Sequence, residues 1–305
     1  MAERKPGRMI VPATILAMAA LTISPAVWTA QPESQIGQIE RSPELQRVLK
    51  AAMEYCQKLE SAALDFVCLE EIHEMIDPSR DVLVNSSTEN LSALGQRFFP
   101  LASPTQKIRR SLVYDYQYIR KEEKIREGRI LLEEDGKKTR VENAALKTSV
   151  FKFGNHLLSP LGVLKKSVQP AYVYELAGTA VIDGRTAVLV EAKPYLGIAL
   201  PTLYGRIAFD RETLGILRIE WSPRRVGSYF IFEQRGERFK AEPRLRFVSE
   251  FGVEKNGIRF PNRCTMEEAY AFAGGQEFLR SRTTVDYRQF KFFTVDVGVV
   301  WADGR

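Results

Sequence analysis

Histidine is nearly missing from this 305-residue chain: only His73 and His156 occur, in different segments. Neither has a zinc-type spacing around it, so no metal site is expected. Cysteine is scarce as well, with Cys56, Cys68 and Cys264 alone. The chain has no nucleophile elbow, no phosphate-cradling glycine loop and no dinucleotide fingerprint. Those absences remove the sequence signatures of the commonest enzyme classes, and no cofactor is expected. A strong excess of one charge is missing too. The formal net charge is +6, and removing residues 1–30 takes away three bases and one acid and leaves +4. An excess this mild, spread along the chain, argues against a nucleic-acid partner. The one basic cluster, Lys107 with Arg109 and Arg110, reads as a solvated loop.

What is present begins with the N-terminus. Arg4, Lys5 and Arg8 precede an uncharged run over 9–28, followed by a polar change at Gln31-Pro32-Glu33-Ser34. Basic start, apolar run and small-residue exit are the parts of a secretory signal peptide. Cleavage after Ala30 leaves the bulky Trp28 at the minus-three position; cleavage after Ala26 puts Ser24 there, beside an awkward Pro25. The rival reading is an uncleaved membrane anchor, because the run is about long enough to span a bilayer. Residues 1–30 are therefore read as a signal, 31–41 as a polar linker, 42–297 as one domain and 298–305 as a tail. The expected location is the periplasm or the exterior, with membrane contact but no integral span after cleavage.

Export makes a disulfide plausible. On one continuous helix Cys56 and Cys68 would stand roughly 18 Å apart, too far to bond. If the helix ends between them and the chain turns back, they can meet. A bridge closing so short a loop would be worth roughly 3 kcal/mol. The alternative is three small apolar residues with no bond.

Ser42-Pro43-Glu44 reads as a helix start: a capping hydroxyl, proline in the first turn and an acid facing the positive helix end. Apolar residues then recur at Leu45, Val48, Leu49, Ala52, Met53, Cys56 and Leu59, one face of a helix ending near Ala63. Afterwards the period changes to two, and 64–77 reads as a strand. A long loop or flap is expected over 78–109. A strand over 112–119 carries Tyr114, Tyr116 and Tyr118 on one face. Ser159-Pro160, with Leu161 and Leu164, starts a short helix. From Tyr172 the chain alternates again, with turns at Asp183-Gly184, 211–215, Asn256-Gly257 and Gly274-Gly275. Strands are expected over 204–210, 216–221, 226–235, 245–254, 258–272 and 276–289, with a last one in 290–297. Short turns make neighbours antiparallel. The fold expected is therefore mostly β (α+β): one strongly curved antiparallel sheet, or unclosed barrel, of ten or eleven strands covered by two or three helices.

Within Glu70-Glu71-Ile72-His73-Glu74, Glu71 and His73 point one way and Glu70 and Glu74 the other. A solvated strand face is the expectation there. Adjacent acids such as Glu133-Glu134 and Glu267-Glu268 likewise read as cross-strand partners of Lys and Arg on a wet face. The chain is read as a non-enzyme.

Several local patterns carry a resemblance. Ala62-Ala63-Leu64-Asp65-Phe66 passes from helix directly to strand. Residues 178–194 read Gly-Thr-Ala-Val-Ile-Asp-Gly-Arg-Thr-Ala-Val-Leu-Val-Glu-Ala-Lys-Pro. Residues 205–219 run strand, acidic turn, returning strand. Gly257-Ile258-Arg259-Phe260-Pro261 leads to a closing Val285-Asp286-Tyr287-Arg288-Gln289-Phe290. Over about 43–295 the chain resembles the LolA-like superfamily of exported lipoprotein carriers and the RseB-like envelope-stress sensors. The 78–109 insert, the charged 120–129 hairpin and the cysteine pair depart from the carriers. The resemblance implies an unclosed barrel whose mouth is covered by the opening helix and 157–166. It implies an exported binding protein holding a lipid acyl chain or lipidated polypeptide. Tyr116, Tyr118, Leu161, Leu164, Phe209, Trp221, Phe232, Phe247 and Phe251 are the candidate lining. The alternative is an envelope protein-interaction or stress-sensor module acting through a sheet edge or the 78–109 loop.

Overall fold

A computed structural model describes residues 42–61, 65–81, 106–121, 124–152, 157, 159–195, 204–221, 230–255 and 257–293. The expected signal, linker and tail, most of the expected 78–109 loop, and His156 lie outside those residues. The described part belongs to one compact unit.

The opening helix, α1 (Pro43–Ser61), starts as its sequence requires: Leu45 N donates to the Ser42 hydroxyl at 3.2 Å. Leu45, Val48, Leu49, Ala52 and Cys56 form its buried stripe. Strands β1 (Asp65–Ile76), β2 (Ile108–Lys121), β3 (Lys124–Glu134) and β4 (Lys137–Val141) follow as a meander. A short 3-10 helix, Ser159–Leu164, leads to β5 (Tyr172–Ile182), β6 (Arg185–Pro194), β7 (Gly205–Asp210) and β8 (Ile216–Trp221). Helix α2 (Phe230–Phe239) precedes β9 (Glu242–Glu250), β10 (Val253–Lys255), β11 (Ile258–Phe260), β12 (Arg263–Ala271) and β13 (Glu277–Phe293).

Eleven strands form one sheet in the order β4-β3-β2-β1-β13-β12-β9-β8-β7-β6-β5, and β10–β11 form a separate ribbon. Each pairing is antiparallel. The first and last strands meet in the middle, Ile72 opposite Val285, while β4 and β5 are left as separate edges. The sheet is thus an unclosed half-barrel, as expected. One face carries the apolar core, and α1, the 3-10 helix and α2 supply its cover.

Four expectations need correction. The strand expected over 226–235 is a helix in its described part: Phe232 and Gly236 are four apart and both buried. A side chain at Gly236 would meet Ala241 O at 2.9 Å, so glycine permits the close return of β9. The helix ends with Lys240 at φ 52° and Ala241 N donating back to Gly236 O at 2.9 Å, a Schellman-type stop. The strand expected over 258–272 is broken at Pro261-Asn262, where proline offers no amide donor and the Asn262 side chain accepts the Gly252 amide. Residues 245–254 likewise divide between β9 and β10. Finally, Arg109 and Arg110 belong to β2 rather than to a loop, Arg110 pairing with Glu134 at 3.0 Å.

Candidate functional site

The inner face of the sheet gathers the expected lining. Tyr116 and Tyr118 come from β2, Phe209 from β7, Trp221 from β8, Phe247 from β9, Phe232 from α2, Leu161 and Leu164 from the 3-10 helix, and Phe251 from the turn after β9. All nine are buried and belong to one continuous apolar cluster. Phe151 joins them from the loop after β4, its ring 5.8 Å from Phe232 and 5.5 Å from Phe247.

A recess of about 540 Å³ opens between α1 and the turn after the 3-10 helix. Cys56, Gln57, Lys165, Lys166 and Ser167 line it. Cys56 belongs both to this recess and to the apolar cluster, with Sγ 3.9 Å from Leu161 O.

The expected Cys56–Cys68 bridge is not formed: all three cysteines are buried thiols outside any disulfide. Cys56 faces the 3-10 helix from α1, whereas Cys68 is fixed in β1 opposite Tyr116. Burial raises the Cys68 thiol, helped by Glu70, and pushes Cys264 up to about 12 against a lowering contact from Ser249.

Sequence reasoning missed two buried polar groups. Glu70 stands on the inner face with Phe66, Cys68 and Ile72, not on a solvated one. Arg129 donates to it twice, Nε to Oε2 at 2.6 Å and Nη2 to Oε1 at 3.0 Å, and Tyr287 donates to Oε1 at 3.1 Å. Tyr116 donates to Glu127 at 2.9 Å, and Glu127 also contacts Arg129 at 3.4 Å. Burial works against the Arg129 charge, but the hydrogen bonds and charge of Glu70 hold its pKa above the ordinary arginine value. Burial, with the charge of Glu127 next, raises Tyr116. Glu74, also inward, accepts from the amides of Ser149 and Val150 at 2.9 and 3.0 Å and pins the loop after β4.

The second group centres on Glu268, again buried rather than wet. Arg280 and Arg235 each donate to it at 2.9 Å, Ser281 at 3.0 Å and Tyr270 at 2.5 Å. Arg280 also holds Asp81 at 2.8 and 2.7 Å. This ties α2 and the turn after β1 to β12 and β13. A signal for both groups was in the sequence: an acid in phase with a greasy strand face must find a buried partner. His73 and Glu71 point to the side opposite Glu70 and Glu74, and the described residues contain no cluster of potential metal ligands.

Together these features define a class: an unclosed antiparallel half-barrel, covered by helices, with an apolar inner face crossed by two buried ion-pair groups. No family model matches the sequence, and no curated relative does. Solved structures of similar fold include a DUF1329 family protein from Desulfovibrio piger, 13% identical, covering 83% of this chain and 94% of that one at a TM-score of 0.37. A putative outer membrane lipoprotein-sorting protein domain from Vibrio parahaemolyticus is 9% identical, covering 81% and 94% at 0.36. A LolA superfamily protein from Nitrosomonas europaea is 11% identical, covering 81% and 94% at 0.33. At such values no ligand or partner passes from those proteins to this chain. No described helix is long and apolar enough to cross a membrane.

Proposed function

We propose that the chain is an exported envelope protein, released or tethered through residues 1–30, that shelters an apolar ligand between the inner face of the sheet and α1. The ligand class is an acyl chain of a lipid or of a lipidated polypeptide. What supports this reading is the seam beside the 3-10 helix, where a recess of about 540 Å³ touches the apolar cluster at Cys56. A chain of methylenes entering there would displace α1 from Leu161 and Leu164 and run toward Tyr116 and Tyr118. Each methylene removed from water contributes about 0.8 kcal/mol. No catalytic step is assigned: Glu70, Glu74 and Glu268 are each engaged by the donors named above.

The test is native mass spectrometry and lipid extraction on protein purified from the envelope, with titration of an acyl-chain fluorophore. Bound lipid, and fluorophore binding weakened by Leu161→Asp, is the expected result. Protein with no extractable lipid and no fluorophore response sinks the reading.

A second reading, an envelope interaction module, is supported by the sheet edges. Edge strand β4 carries Lys137, Lys138 and Arg140, the charges that discourage strand addition. Edge strand β5 has no charge from Leu176 to Ile182, and Val181 is 74% exposed. On that reading Val181→Lys weakens binding of an extended peptide and leaves the fluorophore titration unchanged.

A further inference from the structure

Five aromatic rings meet where β1 begins and β13 ends. Phe66 stacks on Tyr118 at 5.1 Å and lies 5.6 Å from Phe290 and 5.8 Å from Phe292. Phe260 closes the group, 5.2 Å from Phe292. A bulge creates this arrangement. Leu69 pairs with Arg288 but Val67 pairs with Lys291, so Cys68 faces two residues of β13, and Gln289 takes φ 55°. The extra residue reverses the alternation of β13. Val285 and Tyr287 point inward before it; Phe290 and Phe292, instead of Gln289 and Lys291, do so after it.

Among the described residues, this end of the sheet is not sealed. Phe290 and Phe292 are only half-buried. Phe293, one residue on, is 50% exposed, and Ile119 on β2 is 40% exposed. Phe293 pairs with Asp65, and the next position, Phe66, pairs with Tyr118, so Ile119 and Phe293 flank the same end of β1. Cations flank this end. Lys255 Nζ lies 5.9 Å from the Phe292 ring centroid, and Lys291 and Arg126 are exposed; of the acids there, Glu254 is paired with Arg259 at 3.5 Å and Asp65 is the strand partner of Phe293.

We propose that this end of the sheet docks on an anionic membrane surface, with Phe293 and Ile119 in the headgroup region and Lys255 and Lys291 against lipid phosphates. Aromatic and aliphatic side chains collared by lysine fit the boundary between headgroups and acyl chains. Among the described residues, the exposed apolar side chains are too few for a stable protein interface, whereas a small apolar insertion with basic neighbours suffices for reversible bilayer binding. The proposal does not depend on the interior taking a ligand.

The experiment uses the protein as recovered from the envelope, cleaved or not. An environment-sensitive fluorophore is attached at Ile119→Cys and, as a control on the far edge strand, at Val181→Cys. Vesicles are either phosphatidylglycerol with phosphatidylethanolamine, or phosphatidylcholine alone. Expected is a blue shift at position 119 on the anionic vesicles, absent at 181 and much weaker on the neutral ones. Lys255→Gln and Lys291→Gln should each raise the vesicle concentration for half-maximal shift about fivefold. No shift at 119, an equal shift at 181, or an equal shift on neutral vesicles overturns the proposal. So does a probe at 119 that is already blue-shifted without vesicles and unaffected by them, which would mean that the chain itself covers this end.

Discussion

Arg129 on β3 reaches over the ring of Tyr116 on β2, 4.8 Å from its centroid, to grip Glu70 on β1 with two hydrogen bonds. Two strands are thereby locked across the one between them, inside an apolar face. Both partners are buried, the Glu70 side chain wholly. Removing one partner of a buried pair leaves the other charge uncompensated, at a cost of about 3–5 kcal/mol. Glu70→Ala should therefore lower the urea midpoint steeply with little change in slope. Glu70→Leu with Arg129→Met should regain most of the loss, because a packed apolar pair no longer has a charge to desolvate. A single-variant loss below about 1 kcal/mol would place this pair in the range of solvent-exposed ion pairs.

The thiols give a second prediction. Cys56, Cys68 and Cys264 are buried, and burial holds Cys264 near a pKa of about 12. Thiolate is the reactive form. A thiol reagent at pH 8 should thus modify none of them in the native protein and all three after denaturation without reductant. One reactive thiol in the denatured protein would mean that export has joined Cys56 to Cys68 with a shift of α1 against β1.

Asp210 predicts a pH dependence. Its carboxylate accepts from the amides of Thr213 and Glu212 and from Arg185, all at 2.9 Å, and those bonds hold its pKa at about 2. The folded value lies below the unfolded one of about 3.9. Its contribution is accordingly complete above pH 4 and is lost as the pH falls toward 2. Asp210→Asn should cost about 1 kcal/mol at pH 7 and flatten the decline in urea midpoint between pH 4 and 2. An unchanged acid limb would show that other carboxylates dominate it.

Much of this architecture was legible because strand period and turn chemistry are local. The Ser42 cap, the Asp183-Gly184 hairpin and the alternation of Tyr114, Tyr116 and Tyr118 needed no tertiary knowledge. Helix α2 was not, since Phe230-Ile231-Phe232 suits either period and Gly236 gains its meaning only from the return of β9. The nine buried residues of the apolar cluster expected to line a site were readable as greasy positions, but not the way they pack on one another. Glu70 and Glu268 were misplaced on wet faces because their partners, Arg129 and Arg280, lie 59 and 12 residues away. Inner-face phase was visible; the partner that makes it tolerable was not.

Gly205 carries the last prediction. It opens β7 opposite Trp221, the buried end of β8. A Cβ there would lie 2.0 Å from Glu220 O and 2.9 Å from Trp221 Cα. Both obstacles are backbone, so no side chain can rotate away, and β7 and β8 must separate or Trp221 must move. Overpacking of this kind costs about 1–3 kcal/mol. Gly257 is the control: it has φ +71° but open space around its missing Cβ, so alanine there costs about 1 kcal/mol through the backbone alone. Trp221 reports the difference. Gly205→Ala should change the tryptophan emission as β8 shifts, on top of its stability loss, while Gly257→Ala should leave emission as it was. Equal emission in both variants would mean that the strand pair absorbs the added methyl without displacing Trp221, and that the close approach of β7 to β8 is not a rigid feature of the half-barrel.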